Sequence, residues 1–419
     1  MGGRCSSLTF VRTAYRCRAY PTPEQAAVFS RTFGCVRLVW NKTLAERQAK
    51  YRTGGGATRY RETDAALTEW KKTDELGFLS EVSSVPLQQV LRHQHVAFSN
   101  FFSGRARCPR FKSRRGRQSA HYTRSAFRVR DGKLWLAKTG APLELAWSWP
   151  GIDLTTVNPT TVIVSREPDG RWYVTLAADV VEPASAPETR REVGIDLGIS
   201  TFATTSEGEE IVNPRCLERR ARSLARYQRY MSRCRLGSRN QEKARKKVAA
   251  AHRKVRNARR DFLHRASSNL VRDHDLIAIE DLAVKNMVRN RSLARAISDV
   301  GWREFRAMLE YKAAKAGRTL VVVDRWYPSS KTCSSCGHVL AQLALSARRW
   351  TCPICRARHD RDVNAAKNIL AAGRAVTRSP ASSEACGADV RRRGKPSPQS
   401  AVKQETRIVR CGASSTARC

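Results

Sequence analysis

No run of about 18 apolar residues occurs in the sequence, and no amphipathic Trp/Lys helix stands out, so neither a membrane span nor a helix lying on lipid is read from it. Acid is scarce as well. Aspartate and glutamate number 37 against 78 lysines and arginines, a formal net charge of +41. Solubility requires far less. The excess implies a polyanionic partner, and nucleic acid is the first expectation. A disulfide framework is also missing: of 13 cysteines, an odd number, four fall in two Cys-x-x-C pairs and the rest are scattered. That usage suits a reduced, intracellular chain with a metal site. The first thirty residues are polar and broken by arginine and proline, unlike a secretory signal. The opening MGGRCS fits a loose N-myristoylation pattern and is read as chance.

What is present is enough for real cores: 419 residues, 41% apolar, suffice for roughly two or three domains. Residues 8–20, LTFVRTAYRCRAY, alternate apolar and basic side chains and are predicted to be a strand. Pro23 opens a predicted helix, with Ala26, Phe29, Phe33, Val36, Val39, Trp40 and Leu44 at helical spacing. TGGGA at 53–57 reads as a loop and 85–102 as another amphipathic helix. His93 and His95 within it are two apart, on different faces, and are read as ordinary polar positions. Segment 104–117, GRARCPRFKSRRGR, has seven basic residues and no acid, with Phe101, Phe102 and Phe111 interleaved. Guanidinium groups for phosphates and rings for stacking suit a nucleic-acid strand better than a merely solvated loop. Arg105, Arg107, Arg110, Lys112, Arg114 and Arg115 are therefore the candidate nucleic-acid contacts. Residues 121–182 are β in character, with Asp-Gly hairpin turns at 131–132 and 169–170, and read as a small barrel or sandwich. EPASAPETRR (182–191) is a linker, which places a domain boundary near 187.

Beyond it, 192–214 reads as strand, strand, Glu-Gly turn, strand. Residues 215–265 carry 19 basic and 3 acidic residues and read as a helical hairpin bent at Gly237-Ser238, with Leu217, Leu224 and Met231 recurring at seven. DLIAIEDL (275–282) and RTLVVVDRWYP (318–328) are short strands of the buried type on either side of a helix near 301–316. Strands alternating with helices indicate a mixed α/β core. The segment from about 374 to 419 is rich in Ser, Arg, Pro and Gly and is expected to be disordered.

Cys333, Cys336, Cys352 and Cys355 form two Cys-x-x-C pairs separated by fifteen residues. Four thiolates suit tetrahedral zinc and leave no open coordination position, so the site is expected to be structural rather than a redox pair. Two acids lie inside apolar strands, Asp196 in VGIDLGI and Glu280 at the end of LIAIE. A lone buried carboxylate costs several kcal/mol unless neutralised. An arginine pair or a strand-end cap would account for each singly. The sharper reading is carboxylates converging on Mg²⁺ from separate strands, which needs a third acid. DRDVNAAKNIL supplies Asp360 and Asp362, two residues apart and so aimed differently, of which one is the main ligand.

The series GIDLGI, IAIEDL and HDRDVNAAKNIL, with the four-cysteine insertion, resembles the nuclease half of the TnpB (OrfB) family of insertion-sequence proteins, relatives of type V CRISPR effectors. The resemblance runs on through RCRAYPTPEQ, FGCVRLVWN, NFFSGRARCPRFKS, YPSSKTCSSCG and VKQETR, and so covers nearly all of the chain. It implies an α+β multidomain protein: an N-terminal β-barrel (1–22 and 105–186) with an inserted helical recognition domain (23–104), then a RuvC/RNase H-like nuclease core (187–330 and 358–373) holding a zinc ribbon (331–357). It implies Mg²⁺-dependent DNA cleavage, a guide RNA from the element's end, target double-stranded DNA with a short flanking motif, and a place in the bacterial cytoplasm, on the nucleoid when DNA is bound. Carried over by residue, Asp196, Glu280 and Asp362 are the catalytic acids and Mg²⁺ ligands, and Cys333, Cys336, Cys352 and Cys355 hold Zn²⁺. Arg356 stands where the family usually has glycine, which puts the turn of the second knuckle in question. A transposase that joins strands itself, and a catalytically silent nucleic-acid-binding regulator, are the competing readings.

Overall fold

The computed structural model describes residues 10–149, 152–181, 186–344 and 346–378. Two compact units emerge: Met1–Glu182 with Ala221–Lys254, and Pro183–Arg220 with Val255–Cys419.

The first unit opens with β1 (Phe10–Tyr20), then α1 (Pro23–Arg52), α2 (Tyr60–Trp70) and α3 (Ser84–Phe102). Thr22 begins α1 with a capping box: its hydroxyl accepts from Gln25 N at 3.3 Å, and the Gln25 side chain accepts from Thr22 N at 3.1 Å. Six strands follow, β2 (Gln118–Thr123), β3 (Phe127–Arg130), β4 (Lys133–Leu136), β5 (Glu144–Ala146), β6 (Thr161–Arg166) and β7 (Trp172–Val181), with the short α4 (Leu154–Val157) between β5 and β6. The alternation in β1 is real: Tyr15, Cys17 and Ala19 are buried while the intervening arginines are not. They pack with Phe29, Phe33, Trp172, Val174 and Leu176 in one core. The antiparallel sheet runs β2-β6-β7-β1-β5 and ends at β2 and β5, so among the described residues the ladder does not close into a hydrogen-bonded barrel. Asp131 and Gly132, both at positive φ (51° and 67°), make the expected tight β3–β4 turn. Of the basic hairpin, α5 (Ala221–Arg233) and the start of α6 (Arg239–Asp273) belong to this unit. The bend falls where expected, with Gly237 at φ 81° and the Ser238 hydroxyl accepting from Gln241 N at 3.1 Å. The seven-residue seam is thinner than its spacing suggests. Leu224 is the buried residue of α5, whereas Leu217 precedes the helix.

In the second unit a meander of β8 (Glu192–Leu197), β9 (Thr201–Thr205) and β10 (Glu210–Val212) leads to β11 (Leu276–Glu280), α7 (Val284–Met287), α8 (Ala294–Val300), α9 (Trp302–Ala316) and β12 (Thr319–Val323). Beyond the cysteine segment, which holds β13 (Arg349–Thr351) and β14 (Arg358–Asp360), comes α10 (Arg361–Arg378). The sheet order is β10-β9-β8-β11-β12, antiparallel within the meander and parallel from β8 through β11 to β12. The pleat assigns the faces. Val193, Ile195, Leu197, Ile277 and Ile279 pack with Leu263 of α6 and Phe305 and Leu309 of α9. On the other face Leu276, Ala278 and Val323 meet Ile369 and Leu370 of α10. α10 reaches Arg378, into the segment expected to be disordered; the rest of that segment lies outside the described residues. Among the described residues no helix is long and apolar enough to cross a membrane.

Candidate active site and metal centre

Gly194 and Asp196 alternate with the three apolar residues of β8, and Ala278 and Glu280 with the isoleucines of β11, so both acids stand on the face that α10 covers. The strands are parallel with Ile195 beside Ile279, which sets Asp196 and Glu280 next to each other at the strands' C-terminal ends. A Glu280 carboxylate oxygen accepts from Leu197 N at 3.3 Å. Burial, then the neighbouring Glu280 and Asp362 charges, push Asp196 up to about 8, against a smaller opposing pull from Arg361 and Arg348. Burial likewise lifts Glu280 to about 7, although the Leu197 N–H works against it. The fold thus holds two acids where their charges are poorly compensated.

α10 brings the third. Asp360, directly ahead of the helix, accepts from Asp362 N at 3.0 Å and Val363 N at 3.1 Å. It is the cap of α10. Asp362, in the first turn, is left to face the sheet acids and pairs with Arg348 at 3.2 Å. Of the two acids that spacing left open, Asp360 is the one whose carboxylate is taken up by the helix start. The three carboxylates do not close on one another: among the described residues, the set of metal-capable groups whose ligand atoms all lie within 4.8 Å is the four cysteines.

Those cysteines lie in two matching knuckles. Cys333 N donates to His338 O and Cys352 N to Ala357 O, five residues on in both cases, at 2.8 and 2.9 Å. Gly337 N and Arg356 N return to the carbonyls of Cys333 and Cys352. Both residues sit in the left-handed region, at φ 78° and 59°. The turn therefore forms without the usual glycine, and Arg356 carries a conformational cost of about 1–2 kcal/mol. Sγ–Sγ distances of 3.6 Å, Cys333 to Cys355 and Cys336 to Cys352, are close to the roughly 3.8 Å edge of a tetrahedron of Zn–S bonds. His359 Nε2 lies 3.1 Å from Cys333 Sγ, a partner outside the four thiolates. Removing one ligand, as in Cys352→Ser, is expected to release zinc on metal analysis and loosen this segment, because binding there is folding free energy. Full zinc content in that variant would contradict a four-cysteine site.

Sequence reasoning meets Asn364 and Asn368 beside the acids but assigns them no role. They are four apart on α10 and almost fully buried, at 1% and 4% exposure. Asn364 accepts from Ser334 N at 2.9 Å and donates to Thr332 O at 2.7 Å. Asn368 donates to Ser329 O and Thr332 O at 2.7 and 2.6 Å. Together they clamp the entry of the first cysteine knuckle to the helix that carries Asp362. Two amides at i and i+4 on an apolar face were the available signal, since buried amides must be paired.

The predicted basic contacts Arg105, Arg107, Arg110, Lys112, Arg114 and Arg115 lie together on an exposed loop of the first unit. The loop is not loose. Trp40 Nε1 donates to Arg110 O at 2.9 Å, and the Asn41 amide accepts from Lys112 N at 2.7 Å and donates to Lys112 O at 3.0 Å. The Lys112 ammonium lies 4.0 Å from the Trp40 ring centre, which ties that side chain to the protein, unlike a free phosphate contact. His93 packs edge-on against His121, with ring centres 4.4 Å apart.

Three family profiles match along the chain: the helix-turn-helix domain of OrfB_IS605 proteins over residues 10–56, where the structure has β1 and α1; OrfB_IS605 itself, described as a probable transposase, over 174–291; and the TNB domain of Cas12f1-like proteins over 302–369. A Streptomyces pristinaespiralis protein named as an RNA-guided DNA endonuclease is 52% identical over 406 residues, covering 96% of this chain and 98% of its own. InsQ of Escherichia coli K12, with the same description, is 31% identical, covering 87% and 92%. Among solved structures, the protein of a Cas12f1–sgRNA–target DNA complex matches with a TM-score of 0.53 at 13% identity, covering 86% of this chain and 99% of that one. The mini RNA-guided endonuclease Cas-phi-3 matches at 0.52 and 8%, covering 88% and 93%. At such identities the structural likeness speaks to the fold alone.

Proposed function

The chain belongs to the TnpB (OrfB) family of insertion-sequence proteins, and from that premise we propose that it is an RNA-guided DNA endonuclease cutting at the edge where β8, β11 and α10 bring Asp196, Glu280 and Asp362 together. The observation that carries this reading is the shared face: two acids on neighbouring parallel strands and a third in the first turn of the covering helix. The strand order supports a RuvC/RNase H-like core. Oxygen donors only, whose pKa values are raised by burial and, at Asp196, by the neighbouring carboxylates as well, fit a hard divalent cation that would offset their charge. Mg²⁺ held by Asp196, Glu280 and Asp362 would supply an activated water and charge stabilisation at the leaving oxygen. The chain's own part is positional. The Leu197 N–H fixes the Glu280 carboxylate, and the Asn364 and Asn368 clamp fixes the helix carrying Asp362. Zn²⁺ in the four-thiolate shell has no open position and acts structurally.

A guide RNA and its target DNA answer the charge of +41. Base pairing reads the sequence in such a system, while protein reads backbone and shape. The direct test is to sequence the RNA that copurifies and offer DNA matched or mismatched to it. Cleavage of matched DNA alone is expected; equal cleavage of both overturns guidance. The probable-transposase description favours strand transfer as a second reading, and an assay on element ends separates the two.

The exposed arginines make a further prediction. Neutralising Arg110, Arg114 and Arg115 should weaken binding broadly and reduce the slope of log affinity against log salt by about 0.7–0.9 for each phosphate left without its cation. An unchanged slope would show a loop that is only solvated.

The raised acids also set a pH dependence. Their ordinary values lie near 4, so between about pH 4 and 8 the metal-free folded state holds protons that the unfolded chain has released. Stability should therefore fall as pH rises through that window, by on the order of a few kcal/mol. Bound Mg²⁺ favours the ionised carboxylates and should flatten the fall. Melting curves across that range with EDTA and with excess Mg²⁺ check this; parallel curves would contradict it.

A further inference from the structure

We propose that Trp326 is a positioning residue, a stacking platform for an unpaired base of the DNA strand delivered to the acids, an inference that rests on the nuclease reading of this edge. Val323, the last residue of β12, is paired with Glu280 in parallel register, so the turn that follows leaves the sheet at the same end as the acids. That turn is held on every side. Trp326 N donates to the Asp324 carboxylate at 2.8 Å and Tyr327 N to Asp324 O at 3.0 Å. Arg325 bonds the Asp281 carboxylate, which also takes Arg306 at 2.7 Å, and Asp281 N donates to Val323 O at 2.9 Å. Tyr327 packs into the core beneath α10.

From this fixed turn Trp326 stands 76% exposed, while no other tryptophan among the described residues exceeds 38%. An indole gains much from burial, and the fold forgoes that gain at a place whose backbone is rigid. Arg325 and Tyr327 serve the fold; the side chain between them does not. A flat ring carried on a fixed backbone beside a phosphodiester-cutting site suits the π-face of a nucleobase, which every base offers regardless of sequence. A paired base presents only its edge along a duplex, so the partner is a base out of pairing. Stacking of this kind is worth about 5- to 150-fold in binding or rate for one base.

The test uses the full chain with its copurified RNA and matched DNA carrying 2-aminopurine at successive positions, first in EDTA. Quenching at one position is expected, lost in Trp326→Ala and kept in Trp326→Phe. With Mg²⁺, Trp326→Ala should cut about 5- to 150-fold more slowly at unchanged complex formation and zinc content. An abasic site at the quenched position should slow the parent equally and Trp326→Ala no further. Cleavage by both proteins at one rate, with the same quenching profile, overturns the proposal and leaves the nuclease reading standing. Quenching that depends on Trp326 in a protein that cuts nothing upholds the platform and overturns the nuclease reading.

Discussion

Glu280→Gln is expected to abolish cleavage while leaving the protein folded and loaded with RNA. The amide keeps the size and shape of the side chain at the end of β11 and removes its charge. Losing one of three carboxylates from a divalent-cation site forfeits several kcal/mol of charge stabilisation, a rate loss of at least about 10³-fold. A second readout is independent of activity. Glu280 is among the charges that hold Asp196 up at about 8, so the variant no longer buries two mutually repelling acids. Without metal it should melt above the parent at pH values where both acids are ionised, and Mg²⁺ should raise its melting temperature less. Matched DNA should still bind, because that affinity rests on arginine and lysine elsewhere. Cleavage at the parental rate would remove Glu280 from the site. Loss of RNA together with cleavage would make it a structural residue.

Gly194→Ala should cost nearly as much by geometry alone. A Cβ on Gly194 would stand 2.0 Å from Ala366 O and 2.7 Å from Leu370 N, both backbone atoms of α10. Neither can turn aside, so the helix must retreat by more than about 1 Å to reach ordinary contact. Overpacking of that sort destabilises by about 1–3 kcal/mol. A displacement of about 1 Å at reacting groups costs on the order of 10² in rate. Cleavage should fall by about that factor with zinc retained, since the asparagine clamp carries the knuckle along with α10. Gly34→Ala is the control: its Cβ meets nothing within 4 Å, and the change should be neutral or slightly stabilising. Parental melting and cleavage in Gly194→Ala would show that the close approach of α10 to β8 does not set the position of Asp362.

Much of this was legible from residue order. The β1 alternation, the Pro23 helix start, the Asp131-Gly132 turn, the Gly237 bend and the buried strand before Glu280 are local events, in which propensity, pattern and capping agree over a few residues. The two Cys-x-x-C pairs need only each other, and they meet. The excess of positive charge needs no structure at all.

Other features depended on residues far apart in the chain meeting in space. Which of Asp360 and Asp362 faces the sheet followed from where α10 begins, because the cap position spends one carboxylate on backbone N–H groups. That Asp196 and Glu280 share a face required the parallel register of β8 and β11, between residues some eighty positions apart. The roles of Asn364 and Asn368 required the Ser329–Ser334 segment to lie against them. The need for glycine at 194 required α10, whose backbone comes too close for a single added carbon. The sequence by itself determined most of the local elements, the grouping of the four cysteines, the charge and the short list of acids, since each is written in neighbouring residues or in composition. Only the tertiary structure decided which acids share a face of the sheet and what packs against them, because strand register and helix–sheet approach are set by packing between segments that local pattern cannot align.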